Sequence, residues 1–134
     1  MKKILIIILG IAFLSGCSND DDALNDQIIG KWKLIEVEFY GFGGQGSTDY
    51  SHENIIYDFQ PNGILKVTGG QNEGYSSGEY NYFFGLDYLG GGMTDPKVLL
   101  VRIEDSKWTY NLNKGIMRLG QSYLDGPVLI FERK

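Results

Sequence analysis

The sequence predicts an all-β domain, a small eight-stranded antiparallel up-and-down barrel. Eight short segments rich in aromatic and β-branched residues follow one another between turn signals, and such residues favour strands. No stretch after Cys17 repeats apolar residues with the period of a helix over three turns. Eight is also a strand number at which a sheet closes on itself and loses its exposed edges. A two-sheet sandwich is the alternative arrangement of the same strands.

The chain begins with the pattern of a secretory signal. Two lysines at positions 2–3 precede the uncharged run Ile4–Leu14, whose 11 residues are too few to span a membrane, which takes about 20. The run ends in Leu14-Ser15-Gly16-Cys17, which resembles the lipobox of bacterial lipoproteins. The resemblance implies that residues 1–16 are removed, that the thiol of Cys17 receives a diacylglycerol, and that its new amino group receives a fatty acyl chain such as palmitate.

The mature chain is expected to be a single acidic domain behind a tether. Removal of residues 1–16 leaves 118 of 134 residues, and the loss of two lysines brings the net charge from −5 to −7. This charge disfavours nucleic-acid binding, which needs clustered Lys and Arg. Residues 17–27 are predicted to form a flexible acidic tether, and residues 28–134 the barrel.

The acidic segment Ser18–Asp22 indicates where in the cell envelope the protein is expected to lie. It resembles the surface-export signal of lipoproteins in some Gram-negative bacteria. The resemblance implies a lipid-anchored protein of the outer membrane, displayed on the cell surface. Retention on the periplasmic face of that membrane is the alternative.

The strands follow in chain order. In the first, Trp32 and Leu34 have the opposite parity from Val37, so a bulge near residues 34–35 is predicted to bring them to one face. Pro61-Asn62-Gly63 predicts the tight turn of a hairpin, and the Gly-rich segments 41–46 and 85–96 predict loops. The predicted strands are residues 30–40, 53–60, 64–68, 78–84, 97–103, 107–112, 116–119 and 128–133.

The order of short motifs resembles the lipocalin-like domains of bacterial lipoproteins. The matching segments are Gly30-Lys31-Trp32, Tyr57-Asp58-Phe59, Gly78-Glu79-Tyr80, Trp108–Leu112 and Phe131–Lys134. The resemblance implies that Trp32 closes one end of the barrel and that Arg133 packs over its indole ring. A guanidinium over an indole face contributes about 0.5–2 kcal/mol. The chain is shorter than the lipocalins, which argues against a large internal cavity.

Aromatic residues are the candidate ligand-lining set. In one interpretation they fill the barrel, and in the other they line a pocket for a small hydrophobic ligand. We therefore expect a non-catalytic envelope protein that binds such a ligand in or at the barrel. The alternative is a surface interaction or structural module with a packed barrel, whose loops 41–46 and 85–92 contact an envelope protein. The candidate residues are Tyr57, Phe59, Tyr80, Tyr82, Phe84, Trp108 and Tyr110.

No group of residues in the sequence predicts an enzyme, a metal site or a cofactor. His52 is the only histidine and Cys17 the only cysteine, whereas metal sites and hydrolytic triads need several such groups. Glu104 and Asp105 are adjacent, so on a strand they would point to opposite faces and could not flank one glycosidic bond. Ser47 occupies the place of the lysine that a phosphate-binding loop requires.

Overall fold

The computed structural model describes residues 20–41, 43–70, 74–92 and 94–134. The predicted signal peptide and Cys17 lie outside these residues. The described chain contains one α-helix, α1 (Asp20–Ile28), and a short 3₁₀ helix at Ser122–Leu124. Its strands are β1 (Gly30–Gly41), β2 (Gly44–Asp49), β3 (Ile56–Phe59), β4 (Ile64–Thr68), β5 (Gly78–Asp87), β6 (Val98–Ile103), β7 (Ser106–Asn113), β8 (Ile116–Gly120) and β9 (Val128–Arg133).

The strands form one closed antiparallel sheet. From β3 to β9 each strand pairs with the next along the chain, and β1 pairs with both β3 and β9. Eight strands therefore complete the ring, and β2 is an additional strand attached to β1. The predicted all-β class and the eight-stranded antiparallel barrel are confirmed, and the sandwich alternative is wrong.

Strand β1 carries the predicted bulge. Its register against β9 shifts between Leu34, opposite Phe131, and Glu36, opposite Ile130, which leaves Ile35 as the extra residue. One extra residue reverses the alternation of side chains, so Trp32, Leu34 and Val37 all reach the core. Beyond the bulge, Glu36 and Glu38 lie on the outside of the barrel.

The segments 41–46 and 17–27 differ most from the sequence prediction, and β5 also continues to Asp87, into the predicted loop 85–96. The segment 41–46, expected to be a loop, contributes to a hairpin in which β2 pairs with residues 36–41 of β1. Glycines are disfavoured in strands by intrinsic propensity, but the backbone hydrogen bonds to β1 stabilise β2 as a strand. The segment 17–27, expected to be a flexible tether, contains most of α1, because Leu24 and Ile28 lie one turn apart and pack on the barrel core.

The barrel has two distinct ends. We call the end where β1 begins and β9 finishes the base, and the opposite end, where β4 passes to β5 over residues 69–77, the mouth. Helix α1 packs against β5 at the base. In the part of the chain that the structure describes, no helix is long and apolar enough to cross a membrane.

Candidate functional site

The predicted ligand-lining aromatics form the packed interior of the barrel. Tyr57, Phe59, Phe84 and Trp108 are buried, and the other three are partly buried against the same core. Their rings contact one another and neighbouring aromatic rings in tilted and edge-to-face pairs, an arrangement that aromatic quadrupoles favour. The pairs and their centroid separations are Tyr57–Phe131 at 4.8 Å, Phe59–Tyr82 at 5.1 Å, Phe84–Tyr110 at 4.7 Å and Tyr75–Trp108 at 6.1 Å.

Tyr75, from the β4–β5 connection, plugs the mouth. Its backbone N–H donates to the hydroxyl of Tyr57 at 2.8 Å, and its own hydroxyl accepts from the indole N–H of Trp108 at 2.9 Å. The preceding Gly74 has a φ of +77° and passes so close that a Cβ there would lie 2.5 Å from the Tyr57 hydroxyl. Burial raises the pKa of both tyrosines, so both hydroxyls stay protonated. The sequence prediction missed Tyr75, since a residue in a Gly-rich turn reads as solvent-exposed.

Trp32, Arg133 and α1 close the base. The guanidinium carbon of Arg133 lies 4.1 Å from the centroid of the Trp32 ring, so the contact expected from the sequence is present. Arg133 also donates to the carbonyls of Ile29 at 2.6 Å and Gln27 at 2.9 Å. The indole N–H of Trp32 donates to the carbonyl of Ile28 at 2.8 Å, which joins the end of the helix to the barrel.

Most of the interior hydroxyl groups form hydrogen bonds within the protein. Tyr80 donates to the carbonyl of Ser76 at 2.7 Å and Tyr82 to that of Gln60 at 2.5 Å. Tyr110 differs, because its buried hydroxyl has no hydrogen-bond partner among the described residues. Burial raises the pKa of Tyr110, although the charge of Arg133 opposes the shift.

Five depressions of the described residues open to the surface. Of the seven candidate residues, Tyr82 and Phe84 contribute to these five, each to a different depression. The depression beside Tyr82 contains Phe83, whose ring face is covered by Arg102 at 5.1 Å. The depression beside Phe84 is an apolar groove against α1.

A further depression combines an aromatic ring with polar side chains on the outside of the barrel near the mouth. Its volume is 360 Å³. The strand register across β1, β9, β8 and β7 forms two neighbouring rows of outward-facing residues, and most of the lining belongs to these rows. One row runs Glu36, Ile130, Arg118, Asn111, and the other runs Glu38, Val128, Gly120, Thr109. We name this depression the Tyr40 groove; its lining is Tyr40, Thr109, Asn111, Arg118, Gly120, Ser122 and Val128.

A glycine forms the floor of the Tyr40 groove. Gly120 lies in strand β8, where a missing side chain leaves space on the outer face. A Cβ at this position would lie 2.9 Å from the Thr109 hydroxyl oxygen and 3.6 Å from Val128. That hydroxyl is itself held, because it donates to the carbonyl of Gly120 at 3.1 Å. Any side chain at position 120 would therefore occupy the groove or displace Thr109.

An ion pair forms one side of the groove. The carboxylate of Glu38 accepts from the Tyr40 hydroxyl and from Nη2 of Arg118, both at 2.5 Å. The pair spans β9, on which Val128 and Ile130 point outward yet are buried. The hydrogen bond from Tyr40 is the main cause that lowers the pKa of Glu38, and Arg118 adds to it. The same bond raises the pKa of Tyr40.

The sequence offered one signal for this groove, namely a glycine at the end of a strand-forming segment. A strand glycine often marks a place where a ligand or another backbone approaches closely. The other lining residues look like ordinary solvated strand positions until the register is known. Comparisons with known proteins add no candidate residues: no protein-family model matches this chain, and no curated protein matches it.

Proposed function

We propose that the mature protein is a lipid-anchored, non-catalytic binding protein of the cell envelope that takes its ligand at the Tyr40 groove. The observation that carries this proposal is the contrast between a barrel filled from Trp32 at the base to Tyr75 at the mouth and an open polar groove outside it. The barrel then serves as a rigid scaffold for an external site. Kinship with the lipocalin-like lipoproteins is part of the same proposal.

The position of the groove suits a protein anchored at Cys17. Two residues, Ser18 and Asn19, separate Cys17 from Asp20, where α1 begins, and the three residue steps from Cys17 to Asp20 can span at most about 11 Å. An acylated Cys17 would therefore hold the start of α1 near the membrane, and α1 packs against β5 at the base. In this arrangement Tyr40, Gly120 and Ser122 belong to the mouth half of the barrel, the half farther from the membrane. We propose the outer membrane, with display on the cell surface, as its location.

Native mass spectrometry of the protein extracted from its own membranes tests this function. We expect the mass of a diacylglycerol and a fatty acyl chain on Cys17, and no apolar molecule retained in the barrel. We also expect a Cys17→Ala variant to leave the membrane fraction. An unmodified Cys17, or a fatty molecule that stays bound to the folded protein, would contradict the proposal.

A small hydrophobic ligand inside the barrel is a second candidate. The hydroxyl of Tyr110, which has no partner among the residues that the structure describes, favours it, because a buried polar group without a partner costs about 1–3 kcal/mol and a ligand could supply one. A retained ligand that is lost from a Tyr110→Phe variant would support this candidate over the external site.

A further inference from the structure

The lining of the Tyr40 groove points to the chemical class of its ligand. Pockets for apolar ligands are lined mainly by hydrophobic side chains with few polar groups. Here Asn111 and Ser122 supply an amide and a hydroxyl that both donate and accept hydrogen bonds, and Arg118 supplies planar donors beyond the Nη2 bonded to Glu38. The hydroxyl of Thr109 donates to Gly120, which leaves it as an acceptor. Tyr40 is the single aromatic ring. This combination suits a ligand covered with hydroxyl groups that also has an apolar face.

The charges of the groove favour a neutral ligand. Arg118 is paired with Glu38 at 2.5 Å, so the site presents no uncompensated cation to an acidic group. Glu36 lies in the same row as Arg118 on the outer face, and the full chain carries a net charge of −5. An anionic ligand would meet repulsion from this side, whereas a cation would meet Arg118.

The groove continues past Tyr40. A second depression of 280 Å³ lies on the other side of this residue, lined by Gln45, Gly46 and Ser47 of β2 together with Glu36 and Glu38. Tyr40 borders both depressions. A chain of several polar units could therefore lie across the tyrosine, with one unit in each depression.

We infer that the Tyr40 groove binds a neutral oligosaccharide. A sugar ring offers an apolar C–H face that packs on an aromatic ring and hydroxyls that pair with amide, hydroxyl and guanidinium groups. Tyr40 is the stacking residue, Gly120 provides the floor that lets a ring approach the strand, and Asn111 and Arg118 bind the hydroxyl groups. This inference rests on the proposed function and names the ligand class of the same site.

A glycan microarray tests the inference with the detergent-solubilised, lipidated protein. The array carries neutral glucan, mannan, galactan and xylan oligosaccharides beside uronic-acid oligosaccharides. We expect binding to a neutral class, with binding to the uronic acids at least about tenfold weaker. Absence of binding to every neutral class would overturn the inference.

Variants of the groove residues test whether the oligosaccharide binds in the Tyr40 groove. Tyr40→Ala should weaken binding to the selected neutral oligosaccharide by about tenfold or more, since aromatic contacts dominate such sites. Gly120→Ala should weaken it as well, with thermal unfolding measured alongside because Thr109 must move. Tyr88→Ala, the same change outside the groove lining, is the matched control and should bind as the wild type does. Equal binding by wild type and Tyr40→Ala would overturn the inference.

The outcomes separate this inference from the proposed function. Binding of a uronic-acid oligosaccharide that Tyr40→Ala abolishes would refute the neutral class yet leave the external site in place. Neutral binding that neither groove variant alters would refute both the inference and the external site. The acyl mass at Cys17 is measured independently of either result.

Discussion

The barrel interior and the Tyr40 groove contain similar chemical groups in opposite arrangements. In the interior, tyrosine and tryptophan rings pack on one another, and the hydroxyls of Tyr57 and Tyr75 are occupied by N–H donors of the protein. In the groove, one tyrosine lies beside a glycine floor, and Asn111 and Ser122 add an amide and a hydroxyl to the lining of an open depression. Aromatic content alone therefore does not identify a ligand site. The partners of the polar groups distinguish a core from a binding surface.

Truncation of an interior ring should have the largest effect on stability. Phe131 is fully buried 4.8 Å from the Tyr57 ring, so Phe131→Ala should lower the free energy of unfolding by about 3–5 kcal/mol. Phe39, on the exposed part of β1, is the matched control, and Phe39→Ala should cost less than about 1 kcal/mol. Chemical denaturation measures both. Equal losses would mean that the interior is not tightly packed.

The base should be the next most sensitive region. Arg133→Met removes the cation over Trp32 and two hydrogen bonds to backbone carbonyls, and we expect a loss of about 1–3 kcal/mol. Arg102 lies over Phe83 at 5.1 Å on the surface, so Arg102→Met is a control that should cost less than about 1 kcal/mol. A similar loss for the two variants in urea denaturation would argue against a closing role for Arg133.

Removal of the hydroxyl from Tyr57 and from Tyr110 should have different effects on the free energy of unfolding. Tyr57→Phe leaves the N–H of Tyr75 without its acceptor, and the free energy of unfolding should fall by about 1 kcal/mol. Tyr110→Phe removes a hydroxyl with no partner among the described residues and should leave stability unchanged or raise it. Thermal unfolding of the two variants provides the comparison. Destabilisation by Tyr110→Phe would reveal a partner that this hydroxyl needs.

The ion pair of the groove should make the smallest contribution, one that depends on pH. The folded protein lowers the pKa of Glu38 below its unfolded value of 4.5, so the stabilisation is complete above that value and is lost as the pH falls through the folded pKa. At neutral pH, Glu38→Gln should cost less than about 1 kcal/mol, because the pair is partly exposed. The difference from wild type should shrink as the pH falls below 4.5 in denaturation experiments. A difference independent of pH would exclude ionisation of Glu38 as its cause.

The barrel could be predicted from sequence because its signals are local. The Pro61-Asn62-Gly63 turn and the change of parity after Leu34 appear in the structure as a hairpin and a bulge. Strand β2 and helix α1 could not be predicted, because each depends on contacts outside its own sequence. Strand β2 forms its hairpin with residues 36–41 of β1. Helix α1 is held by Leu24 and Ile28, which pack on a core formed by residues distant in sequence.

The site could be predicted only in part for a related reason. The contact of Trp32 with Arg133 followed from a motif at each end of the domain. The Tyr40 groove required the register of four strands, which brings Glu38 within hydrogen-bond distance of Arg118, 80 positions later. Alternating polar residues on a strand give no indication of their cross-strand neighbours.

The most direct test uses the two tryptophans as reporters of the interior. The indole N–H of Trp32 lies at the base and that of Trp108 at the mouth, and each makes a hydrogen bond within the barrel. The protein labelled with ¹⁵N is titrated with a neutral oligosaccharide and, separately, with a long-chain fatty acid, and its amide and indole signals are followed by NMR. We expect the oligosaccharide to shift the backbone amides of Asn111, Arg118 and Gly120 while both indole signals stay fixed, and the fatty acid to shift neither set. Indole signals that move with either ligand, while the groove amides stay unchanged, would contradict a closed interior with an external site.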